Sequence, residues 1–258
     1  VLTVLGPIEP AKVGITTTHE HLLIDFSVVF TEPKEASERK LMDEDVSIKN
    51  LGWIRYNWAS NRDNLRILDE ETSTWEARQY FNAGGSTIVD VTSVGLARDP
   101  QALARISRAT GLNIVMGAGN YVQMSHPTEL QELSVEQVAG QIIHDVEQGV
   151  GDTGIRSGII GEIGCSWPWH ESEKKVLEAA VIAQRETGAP LLIHPGRNQQ
   201  APIDLLNAVE KWGGNLSRTV MGHIERTVYD RGVLNELMNS GAYLNFDLFG
   251  HESSFYPL

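Results

Sequence analysis

The sequence predicts an α/β fold, a parallel barrel of the TIM-type (β/α)8 class, and two observations carry that prediction. Short apolar runs alternate with amphipathic helical stretches along the chain, and this alternation favours a parallel sheet. Histidine or glutamate also stands at or just past the end of several runs, one strand–helix unit apart: Glu162 to His194 is 32 residues, and His194 to His223 is 29. Near-even spacing favours a barrel over a doubly wound sheet.

Strands and helices can be assigned in order from hydrophobic periodicity. The predicted strands are 17–24, 86–92, 112–118, 158–163, 190–194, 219–222 and 242–247. The predicted helices are 70–82, 99–110, 134–149, 171–188, 202–213 and 229–240. A closed barrel of this type has eight strands, so the eighth βα unit is missing from the sequence as given. We expect one barrel domain over 1–258, with an insertion at about 27–69.

Composition excludes several classes of function. The net charge of −13 disfavours a nucleic acid or an anionic membrane as partner. No apolar run is long enough for a transmembrane helix, and no signal peptide is visible. The single cysteine, Cys165, cannot form an intrachain disulfide and fits a reducing compartment. These features favour a cytoplasmic protein. The tryptophans at 53, 58 and 75 leave a homodimer open.

His19 and His21 alternate on the first predicted strand, so both imidazoles face the same side of it. On a barrel strand that side is the interior near the C-terminal mouth, where two imidazoles can bind one divalent metal. A His-x-His pair alone is weak evidence, because chance and core packing account for most instances.

Three further residues end predicted strands in the same way. Glu162 follows an apolar run, where a carboxylate needs a cation or hydrogen bonds; it is either a buried salt-bridge partner or a carboxylate that bridges two metal ions. His194 and His223 could each be a core histidine with satisfied hydrogen bonds. Because all these positions fall at strand ends in phase, we predict one metal centre. Its donors suit zinc first, with manganese, iron or cobalt as alternatives.

Candidate substrate-binding residues lie on the loops that follow the predicted strands. Arg197 and Asn198 come just after His194, and Arg197 is either an exposed surface arginine or a clamp for an anionic substrate. Tyr121 follows the third strand as a wall residue or a hydrogen-bond donor. Cys165 is expected to be a buried neutral thiol. The remaining histidines are taken as non-ligands, with the first and last of them as candidate rim residues: His126, His144, His170 and His251.

The assembled motifs resemble the phosphotriesterase family of the amidohydrolase superfamily, and within it the phosphotriesterase-related branch of animals. The matching segments span nearly the whole chain: THEHL at 18–22, GIIGEIGCSWP at 158–168, IHPGRN at 193–198, VMGH at 220–223 and YLNFDLFG at 243–250. The resemblance implies a barrel with two divalent metal ions. On that pattern His19 and His21 hold the more buried ion, and His194 and His223 the more exposed one.

The resemblance also implies how the metals are bridged and what they do. Glu162 occupies the place where many relatives have a carbamylated lysine. The last ligand of the family, an aspartate from strand eight, lies beyond the sequence as given. The implied reaction is hydrolysis by a metal-activated hydroxide, most favourably of small N-acetylated acids such as N-acetyltaurine, whose negative charge suits Arg197. A phosphotriesterase, a lactonase and a non-catalytic metal-binding barrel that acts as a binding module are the alternatives.

Overall fold

The main sheet is parallel and curved, and the computed structural model describes it within residues 1–249. Its strands are β1 Thr16–Glu20, β2 Thr87–Asp90, β3 Asn113–Ala118, β4 Ile159–Gly164, β5 Leu191–His194, β6 Thr219–Met221 and β7 Tyr243–Leu244. They lie side by side in chain order, and every neighbouring pair is parallel. In a doubly wound sheet the spatial order of the strands reverses partway along the chain, whereas in a TIM-type barrel each strand lies beside the preceding one throughout. The predicted fold class and its seven strands are confirmed.

Six longer helices within the described residues follow the strands in the alternation that the sequence predicts. They are α1 Glu70–Asn82, α2 Pro100–Thr110, α3 Val135–Glu147, α4 Glu171–Thr187, α5 Ala201–Lys211 and α6 Arg231–Asn239. Among their N-terminal caps, the side chain of Asp99 accepts from the amide of Ala102, and Ser134 forms a capping box with Gln137. Within residues 1–249, none of the helices is both long and apolar enough to cross a bilayer.

Shorter elements complete the described chain. Two antiparallel pairs join Leu2–Thr3 to Gly6–Pro7 and Ile24–Asp25 to Arg66–Ile67. The short α-helices are Leu51–Ile54 and Ile224–Thr227. The 3-10 helices are Pro10–Lys12, Ser27–Val29, Arg39–Met42, Trp58–Ser60, Gln123–Ser125, Thr128–Gln131 and Leu216–Arg218.

The segment between β1 and α1 is irregular but packed. The antiparallel pair Ile24–Asp25 with Arg66–Ile67 closes its base. Inside it the rings of Phe26 and Trp58 stack with centroids 6.1 Å apart, and Phe26 also contacts Tyr121 beyond β3. This segment therefore lies against the C-terminal mouth of the barrel.

The alternation of β5 shows which side chains point into the barrel. Leu191 and Ile193 belong to the large apolar cluster that includes residues of α3 and α4, whereas Leu192 packs with Val115 and Ile159 in a separate small cluster. Since side chains alternate along a strand, His194 shares the inward face with Leu192. The strand therefore presents this histidine at the inner edge of the mouth.

Gly161 lets β4 approach β5 closely beside Glu162. Its backbone φ is +130°, and a Cβ there would lie 2.4 Å from the carbonyl oxygen of Leu192. Any other residue would combine an unfavourable backbone conformation with a backbone clash. This glycine therefore helps to bring the Glu162 carboxylate to the neighbouring strand end.

Candidate metal centre

Five side chains predicted from the sequence converge at the C-terminal mouth of the barrel. His19 lies on β1 and His21 just beyond it, Glu162 lies on β4, His194 ends β5, and His223 follows β6. Measured to the nearest Glu162 carboxylate oxygen, the ring nitrogens lie at 3.1 Å for His19, 3.3 Å for His21, 2.7 Å for His194 and 3.7 Å for His223. The carboxylate is thus the centre of the cluster.

The cluster divides into two groups that share Glu162. His19, His21 and Glu162 offer ligand atoms within 4.8 Å of one another, and so do Glu162, His194 and His223. One carboxylate common to two histidine pairs is the arrangement that two divalent ions require if they are to share a ligand. Imidazole and carboxylate are donors that zinc and its neighbours accept.

The surroundings of His19 test whether these donors fit a metal. Its Nε2 is buried and forms no aligned hydrogen bond, although a carboxylate oxygen of Glu162 lies at 3.1 Å. Donor atoms that share one cation lie close together with their lone pairs aimed at the ion and not at each other. Two ligands about 2.0–2.1 Å from a tetrahedral ion are roughly 3.3 Å apart. The donor set therefore fits a divalent metal.

The charges of the cluster are strongly coupled. Burial by itself lowers the pKa of His19, but the carboxylates of Glu162 and Asp247 outweigh it and raise that pKa to about 10. Burial lowers the pKa of His194 to about 3, with Glu162 opposing the shift and Arg226 adding to it. For Glu162 burial acts to raise the pKa, yet His194 and His19 hold it well below its usual range. Glu162 is thus held anionic at the centre of the cluster, with a neutral His194 on one side and a protonated His19 on the other.

His223 has an unusual backbone. Its φ of 52° and ψ of 41° place it in the left-handed region, which non-glycine residues adopt rarely. Such conformations persist where the surrounding structure determines them, and they cluster at functional sites. Here the conformation turns the chain from β6 into the short helix Ile224–Thr227 and directs the imidazole towards Glu162.

Sequence reasoning missed three polar residues around the cluster. Thr92 lies beyond β2, and its hydroxyl is 3.0 Å from Nδ1 of His21. Arg226 is buried, and its guanidinium donates to Nε2 of His194 at 2.8 Å. Asp247 lies beyond β7 and accepts from Nδ1 of His223 at 2.6 Å. The signal for Thr92 and Asp247 was their position at the end of a strand, as for the predicted ligands.

A cavity of about 700 Å³ opens over the cluster, and the predicted substrate residues take different places in it. Tyr121 lines the cavity, and its hydroxyl lies 3.0 Å from Nε2 of His194. Arg197 also lines it and is exposed. Asn198 is not among the described residues that line it; its side chain accepts from the amide of Gln200 within the loop.

The lining of the cavity combines two kinds of chemistry. Two arginines, Arg197 and Arg226, are part of it. The segment between β1 and α1 contributes an apolar wall that includes Phe26, Val29 and Trp58. A ligand in the cavity can therefore meet cationic groups as well as an aromatic and aliphatic surface.

The other described histidines and the cysteine lie apart from the cluster. His126 is on a loop and its Nε2 contacts the carbonyl of Tyr121, His144 is on α3, and His170 caps the N-terminus of α4. Cys165 is completely buried, and burial raises the pKa of its thiol well above the usual value. His251 lies outside the described residues.

Comparisons with known proteins agree on the family. A sequence model of the Phosphotriesterase family matches residues 1–258. An N-acetyltaurine hydrolase of Salmo salar is 44% identical over 254 residues, which cover 98% of this chain and 72% of that protein. The N-acetyltaurine hydrolase of Homo sapiens is 42% identical over 259 residues, which cover all of this chain and 74% of that protein.

A solved structure shows the same fold. The crystal structure of a resiniferatoxin-binding protein from Rhodobacter sphaeroides matches with a TM-score of 0.96 and 36% sequence identity, over 98% of this chain and 71% of that one. Together with the sequence matches and the cluster at the barrel mouth, this likeness confirms the resemblance seen in the motifs. The chain is a hydrolase and belongs to the phosphotriesterase family.

Proposed function

We propose that this chain is a binuclear metal-dependent amidase for small N-acetylated acids, with N-acetyltaurine as the first candidate. The observation that carries the proposal is the sharing of Glu162 by two groups of three donors. His19 and His21 would hold one ion and His194 and His223 the other, with Glu162 common to both. Zinc is the first candidate metal, and manganese, iron and cobalt are alternatives.

The chemistry divides between the metals and the chain. When bound, two divalent ions would activate a water molecule near neutral pH and polarise the scissile carbonyl. The chain itself supplies the shape and charge of the cavity. Tyr121, held against His194, forms part of its wall, and the segment that carries Phe26 and Trp58 shields the mouth from solvent.

The two arginines in the cavity lining favour an anionic substrate. Arg197 and Arg226 line the same cavity as the Glu162 cluster, so a sulfonate or carboxylate can lie near a guanidinium while an amide lies over the cluster. Relatives at 42–44% identity carry the name N-acetyltaurine hydrolase, and that substrate has the required negative charge. A phosphotriester is neutral and would gain nothing from these arginines.

A lactonase is the second candidate, and the apolar wall is the observation that favours it. Phe26, Val29 and Trp58 form a surface that could hold the hydrocarbon part of a lactone or another apolar acyl group. We further propose a cytoplasmic location, since the one cysteine is a free thiol.

The test is a hydrolysis screen with metal-reconstituted full-length protein. N-acetylated amino and aminosulfonic acids, lactones and aryl phosphotriesters should be compared by kcat/KM, with chelator-treated protein as the blank. We expect the N-acetylated anions to give the highest kcat/KM. A preference for lactones would replace the amidase proposal by the second candidate. Stoichiometric binding of two ions with no turnover of the N-acetylated anions would contradict the amidase proposal.

A further inference from the structure

Asp247 contacts two histidines that belong to different halves of the cluster. Its Oδ1 accepts a hydrogen bond from Nδ1 of His223 at 2.6 Å, and its Oδ2 lies 2.9 Å from Nδ1 of His19, an ion-pair contact that is not aligned as a hydrogen bond. The two imidazoles are themselves in contact, with ring centroids 4.6 Å apart. A single carboxylate thus lies against both rings.

The opposite nitrogens of these rings face Glu162. Nε2 of His19 lies 3.1 Å and Nε2 of His223 lies 3.7 Å from the same carboxylate oxygen of Glu162. Each ring is therefore placed between two carboxylates, Glu162 on the Nε2 side and Asp247 on the Nδ1 side. Because His19 belongs to one three-donor group and His223 to the other, Asp247 touches both halves of the proposed binuclear site.

The Asp247 carboxylate is held in place by its own partners. Its Oδ2 accepts from the side-chain amide of Asn245 at 2.9 Å and from the backbone amide of His223 at 3.3 Å. The Oδ1 of Asn245 accepts in turn from the hydroxyl of Thr18 on β1 at 3.0 Å. These contacts link the end of β7 to β1, the strand that carries His19. The carboxylate therefore has a fixed position that does not depend on one histidine alone.

We propose that Asp247 is a positioning residue that holds the Nδ1–H groups of His19 and His223, so that both rings present Nε2 to the metals and the two ions bind as a coupled pair. The inference rests on the proposed binuclear function. Ligating histidines commonly donate their other ring N–H to a carboxylate, which fixes the tautomer and the ring orientation. Here one carboxylate would do so for two ligands of two different ions.

A direct metal-ligand role for Asp247 is the competing assignment, since His19, His223 and Asp247 also form a group of three donors. The aligned 2.6 Å hydrogen bond from His223 argues against it, because that bond already uses the Nδ1 proton. If Asp247 were a ligand alongside His223 Nδ1, the ring would have to lose this proton and turn its Nε2 away from Glu162. If Asp247 instead accepts hydrogen bonds from the ligating histidines and does not bind the metal itself, no such rearrangement is needed.

The first experiment measures metal affinity in the full-length protein by competition with a chromophoric zinc chelator. Asp247→Ala should weaken both zinc dissociation constants by on the order of 10–100-fold, the usual effect of losing such a partner. Asp145→Asn is the matched control, because that partly buried carboxylate pairs with Arg98 at 2.8 Å and lies outside the cluster. It should leave both constants unchanged. Weakening of only one constant in Asp247→Ala, or of neither, would overturn the inference.

The second experiment needs no variant and so does not depend on how Asp247→Ala folds. Long-range nitrogen–proton NMR of the zinc-loaded wild type reports which ring nitrogen of each histidine carries the proton. We expect Nδ1 for both His19 and His223, and a proton on Nε2 of either would overturn the inference while leaving the binuclear function intact. Failure of the wild type to bind two zinc ions would overturn the proposed function, and the coupling of two ions with it.

Discussion

Nδ1 of His194 lies 2.7 Å from a carboxylate oxygen of Glu162, and the aligned contact joins the ends of β4 and β5. In the register of these strands Gly164 pairs with His194, so Glu162 lies slightly behind the edge and the imidazole reaches back over it. Nδ1 of His194 also lies 3.0 Å from Nε2 of His223. A substitution of Glu162 would therefore disturb His194, which ends β5, and through it His223, which follows β6.

Replacing Glu162 by glutamine should remove most of the metal content and activity. The neutral amide loses the negative charge that a bridging ligand supplies, and its NH₂ group would face imidazole nitrogens. Loss of a residue that only hydrogen-bonds to a metal ligand lowers metal affinity by about 10–100-fold. Loss of a ligand that two ions share should therefore lower it by at least on the order of 100-fold. Metal content by mass spectrometry and kcat/KM would measure both effects.

Two controls sharpen the Glu162→Gln experiment. Glu171→Gln changes an exposed carboxylate at the start of α4 and should leave both quantities unchanged. Added bicarbonate should not restore the variant, because a glutamate bridge, unlike a carbamylated lysine, does not need carbon dioxide. Full metal occupancy with normal turnover would show that Glu162 is a structural carboxylate only.

Replacing Arg197 by glutamine should raise KM for anionic amides and leave neutral esters nearly unchanged. A charge-assisted hydrogen bond contributes about 2 kcal/mol, which corresponds to roughly a 30-fold change in KM. Arg105→Gln is the control, since Arg105 is an exposed arginine paired with Glu70 away from the cavity. An equal loss on charged and neutral substrates would identify Arg197 as structural and weaken the anionic-amide proposal.

Some of the site residues at strand ends could be predicted from the sequence, and others could not. Apolar runs and their spacing located His194 and His223, because one βα unit returns each strand to the same mouth. Asp247 was not predicted as a site residue, although it also follows a strand, because the family pattern placed the expected aspartate on strand eight. Its contact with His19 depends on the curvature of the whole sheet, which no local pattern contains.

Arg226 was missed for a different reason. Arginine in a short helix after a strand is usually a surface residue, and its charge gives no hint of burial. Its position follows from the left-handed backbone at His223, which redirects the chain so that the guanidinium reaches His194 and the carbonyl of Pro195. Asn198 lies four positions beyond His194, and its side chain accepts from the amide of Gln200 in its own loop, a contact that the spacing along the sequence could not predict.

Replacing Glu173 by glutamine should destabilise the protein without direct contact with the metal site. This fully buried carboxylate accepts hydrogen bonds from the amides of Gln123, Ser166 and His170 and from the Ser166 hydroxyl. It thus ties the loop after β3, which carries Tyr121, to the loop after β4. A glutamine would direct N–H donors at N–H donors and cost about 2–3 kcal/mol.

Thermal or urea unfolding would measure that cost. A loss of about 2–3 kcal/mol corresponds to a fall in Tm of roughly 4–12 °C for a chain of this size. Glu171→Gln, two positions earlier on the exposed face of α4, should change Tm very little. Equal Tm values for the wild type and Glu173→Gln would show that the carboxylate is dispensable for joining the two loops.

The Cys165 thiol should be unreactive in the folded protein and should make stability fall at alkaline pH. The residue is fully buried in the main apolar cluster, and burial raises the pKa of its thiol well above the usual value of 9.0. Only the unfolded chain can ionise this thiol near its ordinary pKa, so above about pH 9 the unfolded state binds fewer protons than the folded state. The free energy of unfolding then falls as pH rises, by at most about 1.4 kcal/mol per pH unit.

Urea unfolding between pH 7 and pH 10 would test the Cys165 prediction when wild type and Cys165→Ala are compared. Other groups that titrate in this range are common to both proteins, so the difference between their slopes isolates the thiol. We expect the wild type to lose more stability than the variant across this range, and iodoacetamide to modify Cys165 only as fast as the chain opens. Parallel slopes, together with rapid alkylation of the native protein at pH 8, would show that the thiol is accessible and ionises in the folded state, contrary to its position in the core.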